Sequence, residues 1–322
     1  MLLASMKRGL LVGLKTTWTL GKIIFPITLI MAVLQYTPIL PWIAKVITPL
    51  MKLFGLTGDA AIPLVLGYFL NIYAAIGAIL TLPLSVKEVF ILAIMLSFAH
   101  NLLVESSVAV KTGVKLWIVL VTRLGLSFLA AIMVNLFWHG GGQAAHYGLV
   151  QTSSTSPNGF MAILLEGIQK AGLGIFQLAL IVIPLMFVIQ ILKDFQWLTK
   201  FSKVMSPFTR MLGMKENTST TMAAGLFFGL AYGAGVMIQA VEEDGVSQKD
   251  LTLAFIFLVA CHAVVEDTLL FIPLGIQVWP LFLIRLGVAI LLTLIVGTIW
   301  KRSGIMKRKE ASYDNKNYHP PV

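Results

Sequence analysis

The sequence repeats one set of landmarks, in the same order, in its two halves. Residues of about 26–126 recur at about 184–288, first about 158 and then about 162 positions later, with an insertion near Lys215. The matched pairs include Pro26 and Pro184, Pro49 and Pro207, Gly55 and Gly213, Gly67 and Gly229, Ser85 and Ser247, His100 and His262, Gly113 and Gly275, and Arg123 and Arg285. Two copies of an apolar unit are typical of a transporter with its substrate site between them. A duplication kept only for symmetric packing is the alternative.

The composition places the chain in a lipid bilayer. Hydrophobic residues make up 58% of the 322 residues and charged residues 12%, with a mean hydropathy of +0.89, whereas a soluble domain carries about 25% charged residues. The net charge of +10 does not indicate a nucleic-acid partner, because the basic residues lie at the ends of apolar segments. The single cysteine, Cys261, excludes an internal disulfide and a cysteine-based metal cluster.

Each copy has the same series of segments. An apolar span is followed by an amphipathic stretch, a glycine-broken segment, an apolar segment interrupted by polar residues, and a last clean span. We expect an all-α polytopic membrane protein with two inverted-topology repeats, each of about three transmembrane helices plus an interfacial helix and a re-entrant hairpin. The predicted boundaries are 1–20 for an amphipathic N-terminal helix, 21–138 for repeat 1, 139–158 for an external loop, 159–300 for repeat 2 and 301–322 for a basic cytoplasmic tail.

The distribution of lysine and arginine sets the expected orientation. Residues 139–158 contain neither, whereas residues 193–215 and the tail from residue 301 are rich in both. The positive-inside rule then places both termini in the cytoplasm and the 139–158 loop outside. That arrangement needs an odd number of crossings per copy. Three crossings result if the glycine-broken segment returns to its own side as a hairpin.

Ionisable residues within the apolar segments form matched pairs. Glu105 aligns with Asp267 and Arg123 with Arg285, and each lies about nine residues from the turn between its two helices. At about 1.5 Å per residue, all four lie about 13 Å deep, near the centre of a hydrocarbon core of about 30 Å. We therefore predict two ion pairs, Glu105–Arg123 and Asp267–Arg285. The pairs either only lock the helices, or release one partner to substrate or proton during a cycle.

His100 and His262 are the next matched pair of candidates. Glu266 follows His262 by four residues, a spacing suited to a two-ligand metal arm on one helical face, but Val104 takes the equivalent place in the first copy. Metal ligation, a hydrogen bond to unwound backbone and a switch by protonation near neutral pH all stay open. The metal status of the site is therefore left undetermined.

The glycine-broken segments supply the third group of candidates. Residues 67–73 contain Asn71, and in the aligned residues 229–235 the same place is taken by Gly233. Small residues and asparagine at a hairpin tip would free backbone N–H and C=O groups for a ligand in a cavity. Close helix packing through small residues is the alternative.

Two stretches of the sequence resemble one known domain. Residues 63–106 and 225–267 each contain a glycine, a small or polar break, and an apolar span that ends in a histidine with an acidic residue just after it. This pattern resembles the Gate, or nucleoside recognition, domain of bacterial membrane proteins, which also occurs in ferrous iron permeases. The resemblance covers most of the chain. It implies a bacterial inner-membrane protein similar in fold to concentrative nucleoside transporters.

The resemblance also implies a set of cavity residues. They are Asn71, His100, Asn101 and Glu105 in the first copy and Gly233, His262, Glu266 and Asp267 in the second. The chain departs from related proteins in two respects: it lacks the GTPase domain of the iron permeases and the Gln-Thr-Glu hairpin motif of concentrative nucleoside carriers. The word nucleoside is therefore not evidence of the substrate.

These observations together predict a transporter for a small polar solute, such as a nucleoside-like compound, an organic anion or a metal ion. Alternating access would take place around a midplane site between the repeats, with a proton or Na⁺ as coupling ion and no other cofactor. The expected partners are the lipid bilayer and the solute; a homo-oligomer is left open. No phosphate-loop motif or Ser/His/Asp arrangement points to an enzyme, although an intramembrane metalloenzyme is a distant alternative. The main alternative is a non-transporting scaffold in an envelope or sporulation assembly.

Overall fold

The computed structural model describes residues 2–34, 37, 39–149, 159–243 and 245–302. This part of the chain is helical, and its only β pairing is an isolated bridge between Ser85 and Ala144. Its α-helices are α1 (Leu2–Leu34), α2 (Ile39–Leu53), α3 (Ala61–Phe69), α4 (Ile72–Ile79), α5 (Val86–Ala99), α6 (Leu102–Lys111), α7 (Leu116–Phe137), α8 (Phe160–Asp194), α9 (Trp197–Met211), α10 (Ser219–Glu243), α11 (Gln248–Cys261), α12 (Val264–Leu269) and α13 (Trp279–Arg302).

Six segments of the described chain are long and apolar enough to cross a membrane. They are Ser5–Leu34, Val86–Lys111 and Leu116–Phe137 in the first half, and Phe160–Leu192, Gln248–Leu269 and Trp279–Trp300 in the second. Two of them, α5 with α6 and α11 with α12, are interrupted in the middle. The prediction of an all-α polytopic membrane protein is therefore confirmed.

The first helix differs from the prediction. α1 is continuous, so the predicted boundary between residues 1–20 and the first span falls inside a helix. The large apolar side chains of this segment that point away from the protein include Leu10, Leu11, Leu14 and Trp18. Residues 2–20 are thus part of one helix with the first apolar span, while their position at the membrane interface stays a prediction.

The small residues of α1 pack against α8, the equivalent first helix of the second half. Gly9 lies against Phe187, and a Cβ atom on Gly9 would be 3.1 Å from the Cα atom of Phe187. Further along α1, Gly21 lies against Ile175, which is earlier in α8. The two helices are therefore antiparallel, which is the relation that inverted repeats require of equivalent elements.

The glycine-broken segment of the first half is a helical hairpin. α3 ends at Phe69 and α4 begins after Asn71, whose side chain caps the new helix by accepting the N–H of Ala74 at 2.9 Å. Gly67 on α3 faces Ala75 on α4, so the two arms lie side by side. The hairpin lies at the predicted position. That it enters the membrane and returns to the same side stays a prediction.

The corresponding segment of the second half also folds back on itself. α10 loses helical geometry at Gly229, which has φ 71° and ψ 178°. The carbonyl oxygen of Ala224 lies 3.0 Å from where Gly233 would carry a Cβ atom. In a straight helix these residues would be about 13 Å apart, so Gly229 is the tip of the second hairpin.

The hairpins correct the alignment of the two copies. The N–H of Asn101 donates to the carbonyl of Gly67 at 2.8 Å, and the N–H of Ala263 donates to that of Gly225 at 3.1 Å. Gly67 is therefore equivalent to Gly225 and not, as predicted, to Gly229. The extra residues of the second copy lie after the hairpin tip rather than before it. Matching glycine to glycine chose the wrong partner because this segment contains several glycines.

Part of the predicted external loop is packed against the protein. Within residues 139–149, Tyr147 is buried and donates its hydroxyl hydrogen to the carbonyl of Leu82 at 2.7 Å. Residues 150–158 of this loop and 303–322 of the predicted tail lie outside the described residues.

A side chain at Gly67 is expected to destabilise the first hairpin. A Cβ atom there would lie 2.1 Å from Cδ2 of Leu96 and 3.0 Å from Cβ of Ala75, and Leu96 is fully buried. Gly67→Ala should lower the free energy of unfolding by about 1–3 kcal/mol, as overpacking does, measured as a lower melting temperature in detergent. Gly125→Ala is the control, since a Cβ atom there meets nothing within 4 Å. Equal melting temperatures for the two variants would contradict the hairpin contact.

Candidate functional site

Two transmembrane helices are broken at equivalent positions, each just after the end of a buried helix. His100 and Asn101 separate α5 from α6, and His262 and Ala263 separate α11 from α12. Asn101 has φ 51° and Ala263 has φ 39°, left-handed values that are uncommon for residues other than glycine. Backbone of this kind persists only where surrounding contacts hold it.

Arg123 supplies those contacts at the first break. Its side chain is fully buried on α7. Nε donates to the carbonyl of Phe98 at 2.9 Å, and Nη2 donates to the carbonyl of His100. These carbonyl groups have lost the helical partners that a continuous helix would provide, and unpaired backbone is costly away from water. The arginine therefore stabilises the break within a membrane span by binding these carbonyl groups.

Arg285 has the same role at the second break. It is fully buried on α13, and its Nη2 donates to the carbonyl of His262 at 2.8 Å. The two repeats thus use the same device, a guanidinium group that binds the backbone of the interrupted helix next to it.

Each arginine also forms an ion pair with an acidic residue of the short helix that follows the break. Nη1 of Arg123 lies 2.7 Å from Oε2 of Glu105, and Nη2 of Arg285 lies 2.9 Å from Oδ2 of Asp267. All four side chains are buried. These are the two pairs that the equal depth of the residues predicted, and each pair is neutral as a whole.

The two histidines bring the repeats together at one carboxylate. His100 Nδ1 lies 2.7 Å from the carbonyl oxygen of Leu96, and His262 Nδ1 lies 2.9 Å from that of Leu258. On the opposite side of each ring, Nε2 faces Glu105. His100 Nε2 is 3.3 Å from Oε1, and His262 Nε2 is 3.2 Å from Oε2. A carboxylate of the first repeat therefore contacts a histidine from each repeat.

Asp267 closes the group from the second repeat. Its Oδ2 lies 4.0 Å from Nε2 of His100 and 3.8 Å from Nε2 of His262, while the centroids of the two rings are 5.2 Å apart. We call His100, His262, Glu105 and Asp267 the central cluster. Its two ring nitrogens and two carboxylates are all buried, and such a set can hold a proton or a cation.

A cavity of about 290 Å³ lies beside the central cluster. The predicted site residues that line it are Asn71, His100, Asn101, Glu105, His262, Glu266 and Asp267. Gly233 is not among the lining residues, because it lies within the second hairpin against Ala224. Gly229, the actual tip of that hairpin, lines the cavity in its place.

Sequence reasoning missed other parts of the cavity wall. Tyr73 lines it, and its hydroxyl group donates to Oε1 of Glu266 at 3.4 Å, which joins the first hairpin to the second repeat. Its place two residues after Asn71 was a signal that could have found it. Thr19 and Leu20 of α1 also line the cavity, but nothing in their residue types marks them.

The two broken helices and two hairpins coincide with regions of a known family. The family model Gate, described as nucleoside recognition, matches residues 17–126 and 175–274. The chain belongs to the Gate family. The two matched regions correspond to the two halves of the structure, so the chain contains two Gate repeats.

A curated relative covers nearly the whole chain. The uncharacterized membrane protein YvoD of Bacillus subtilis (strain 168) is 61% identical over 294 residues, which is 91% of this chain and 94% of the relative. Since six segments of its described residues are long and apolar enough to cross a membrane, this Gate protein is a multi-pass membrane protein. No solved structure matches it.

Removing one member of a buried ion pair should cost more than removing both. Arg123→Met leaves Glu105 as an uncompensated buried charge and should lower the free energy of unfolding by about 3–5 kcal/mol. Adding Glu105→Gln to that variant should restore part of the loss, because the buried charge is gone. The measurement is chemical or thermal unfolding in detergent.

An exposed arginine provides the control for this cycle. Arg210→Met makes the same chemical change on the exposed side of α9 and should alter stability little. A double variant that is less stable than Arg123→Met would show that the interaction between Arg123 and Glu105 is not the dominant one.

Proposed function

We propose that this Gate protein is a membrane transporter for a small polar or charged solute, acting by alternating access around the cavity between its repeats. The observation that carries the proposal is the central cluster, in which each repeat contributes one histidine and one carboxylate beside one cavity. Ionisable groups inside a membrane are costly and usually mark a substrate or ion path.

The arrangement of the repeats supports this mechanism. Antiparallel packing of α1 and α8 agrees with inverted repeats, and in such transporters the two end states arise when the halves exchange conformations around a fixed site. Each repeat contributes a hairpin tip, at Asn71 and Gly229, to the cavity wall. In this proposal the hairpins form the two sides of the site and move relative to the broken helices.

The chemistry of the cavity favours a cation or a polar neutral solute over a simple anion. Three acidic residues, Glu105, Glu266 and Asp267, line the cavity, while Arg123 and Arg285 lie behind two of them and bind backbone. A volume of about 290 Å³ suits a small molecule or a partly hydrated ion. A coupling proton or Na⁺ would bind at the carboxylates of Glu105 or Asp267.

A scaffold protein would not need the cavity or the polar side chains around it. Neutral ion pairs are enough to lock helices together, and a membrane scaffold needs neither a cavity nor polar side chains from both repeats around it. The cavity beside the central cluster is therefore the feature that favours transport over a purely structural role.

Alternating access predicts that the cavity wall reacts with reagents from both sides of the membrane. Cys261 is the single cysteine, so Cys261→Ser or Cys261→Ala gives a cysteine-free background into which Asn71→Cys is placed. A membrane-impermeant thiol reagent should modify this cysteine in both right-side-out and inside-out vesicles. The reason is that each end state opens the cavity to one side.

Gln143→Cys serves as the control in the same background, because Gln143 is exposed in the loop region and should react from one side only. Reaction of the Asn71→Cys protein from one side only, or from neither side, with the protein folded by gel filtration, would contradict alternating access. It would favour the scaffold function instead.

A further inference from the structure

The hydrogen bonds of the two histidines determine where their protons lie. A carbonyl oxygen can only accept, so Nδ1 of His100 must donate to Leu96, and Nδ1 of His262 must donate to Leu258. In the neutral form, each ring then has its free electron pair on Nε2. Both of these nitrogens point into the central cluster.

Those nitrogens face acceptors rather than donors. Nε2 of His100 and of His262 lie 3.3 Å and 3.2 Å from the carboxylate oxygens of Glu105. Nε2 of His262 is buried and makes no hydrogen bond within the described residues. Two acceptors this close repel each other unless a positive charge lies between them. A cation or a shared proton between these groups would remove the repulsion.

The spacing of the ligand atoms suits a metal ion. In a tetrahedral site with bonds of about 2.0–2.1 Å, ligand atoms lie about 3.3–3.4 Å apart. The two Nε2 atoms lie close to this value from Glu105, His100 from Oε1 and His262 from Oε2, and their distances to Oδ2 of Asp267, 4.0 and 3.8 Å, are slightly longer. One ligand atom from each of His100, His262 and Asp267 lies within 4.8 Å of the others.

We propose that the central cluster binds one divalent first-row transition-metal ion. His100 and His262 coordinate it through Nε2, and Asp267 and Glu105 coordinate it through carboxylate oxygens. The inference rests on the proposed function, because it names the class of solute that binds at the same site. Glu266 adds a further carboxylate to the wall of the adjoining cavity.

The ligand set distinguishes between classes of cation. Imidazole nitrogen binds Zn²⁺, Co²⁺ and similar ions well, whereas Mg²⁺, Ca²⁺ and Na⁺ prefer sites made only of oxygen. The arginines pair with oxygens that also face the histidines, Oε2 of Glu105 and Oδ2 of Asp267, and hold these carboxylates in position, as outer partners do in metal sites. Since they also offset the charge of those carboxylates, the neutral histidines determine much of the selectivity.

The test is metal binding by the purified full-length protein. After treatment with a chelator and dialysis, the protein is equilibrated with Zn²⁺ alone, and bound metal is measured per chain. One Zn²⁺ per chain, retained in excess Mg²⁺, is the expected result. Co²⁺ in place of Zn²⁺ should give the intense visible absorption of a tetrahedral site rather than the weak absorption of an octahedral one.

Matched histidine variants locate the ion. His100→Gln and His262→Gln each remove one nitrogen ligand but keep an amide that can bind the backbone carbonyl, and each should weaken Zn²⁺ binding at least about 10-fold. His139→Gln and His146→Gln change two histidines that are exposed in the loop after α7 and should leave binding unchanged. Gel filtration and melting temperature establish that every variant is folded.

Three results would overturn the inference. They are no bound Zn²⁺ in the folded wild-type protein, equal binding in both cluster variants and the wild type, and displacement of Zn²⁺ by Mg²⁺ or Na⁺.

The cysteine experiment distinguishes failure of the metal site from failure of the proposed transport function. Labelling of Asn71→Cys from both sides without metal binding would leave a transporter of another solute, whose cluster holds a shared proton. Metal binding with one-sided labelling would leave a metal site in a protein that does not transport.

Discussion

A break in a transmembrane helix is possible only if the protein itself binds the backbone groups that the break exposes. Arg123 and Arg285 do this by donating to the carbonyl groups at the ends of α5 and α11. A single long side chain reaches from the next helix into the interrupted one, because a guanidinium group offers several donors in a fixed plane. The breaks, and therefore the orientation of His100 and His262, depend on these two contacts.

The arginines also explain the charges of the site. A guanidinium group is always charged, so burying one beside a helix break requires an acidic partner, and Glu105 and Asp267 occupy the first turns after the breaks. Negative side chains are favourable at a helix N-terminus, where the backbone N–H groups point outward. The same two carboxylates then face the histidines of both repeats. The groups that stabilise the helix breaks and the groups that form the chemical site therefore belong to one network of contacts.

Sequence patterns predicted the parts of this network that depend on long-range symmetry and depth. Glu105 and Arg123 were paired because they lie equally far from one turn, and a pair of antiparallel helices leaves little freedom in that geometry. The patterns failed where a segment contains several small residues. From the sequence alone, Gly225 and Gly229 align equally well with Gly67. Only the hydrogen bond from Ala263 to the carbonyl of Gly225 decides between them. The continuity of α1 was missed for a related reason: a change in hydropathy along a segment does not show whether the helix ends there.

The two halves are close to symmetric in their framework and unlike in the cavity. Both breaks use a histidine and an arginine, but other equivalent positions differ. Asn101 of the first repeat is replaced by Ala263 in the second, and the half-exposed Val104 is replaced by the buried Glu266. Glu266 in turn accepts a hydrogen bond from Tyr73 of the first hairpin. A fully symmetric site would bind a solute equally well in two orientations related by the pseudo-twofold axis. These replacements remove that equivalence, because Glu266 adds an acidic side chain to the cavity wall on the side of the second repeat only.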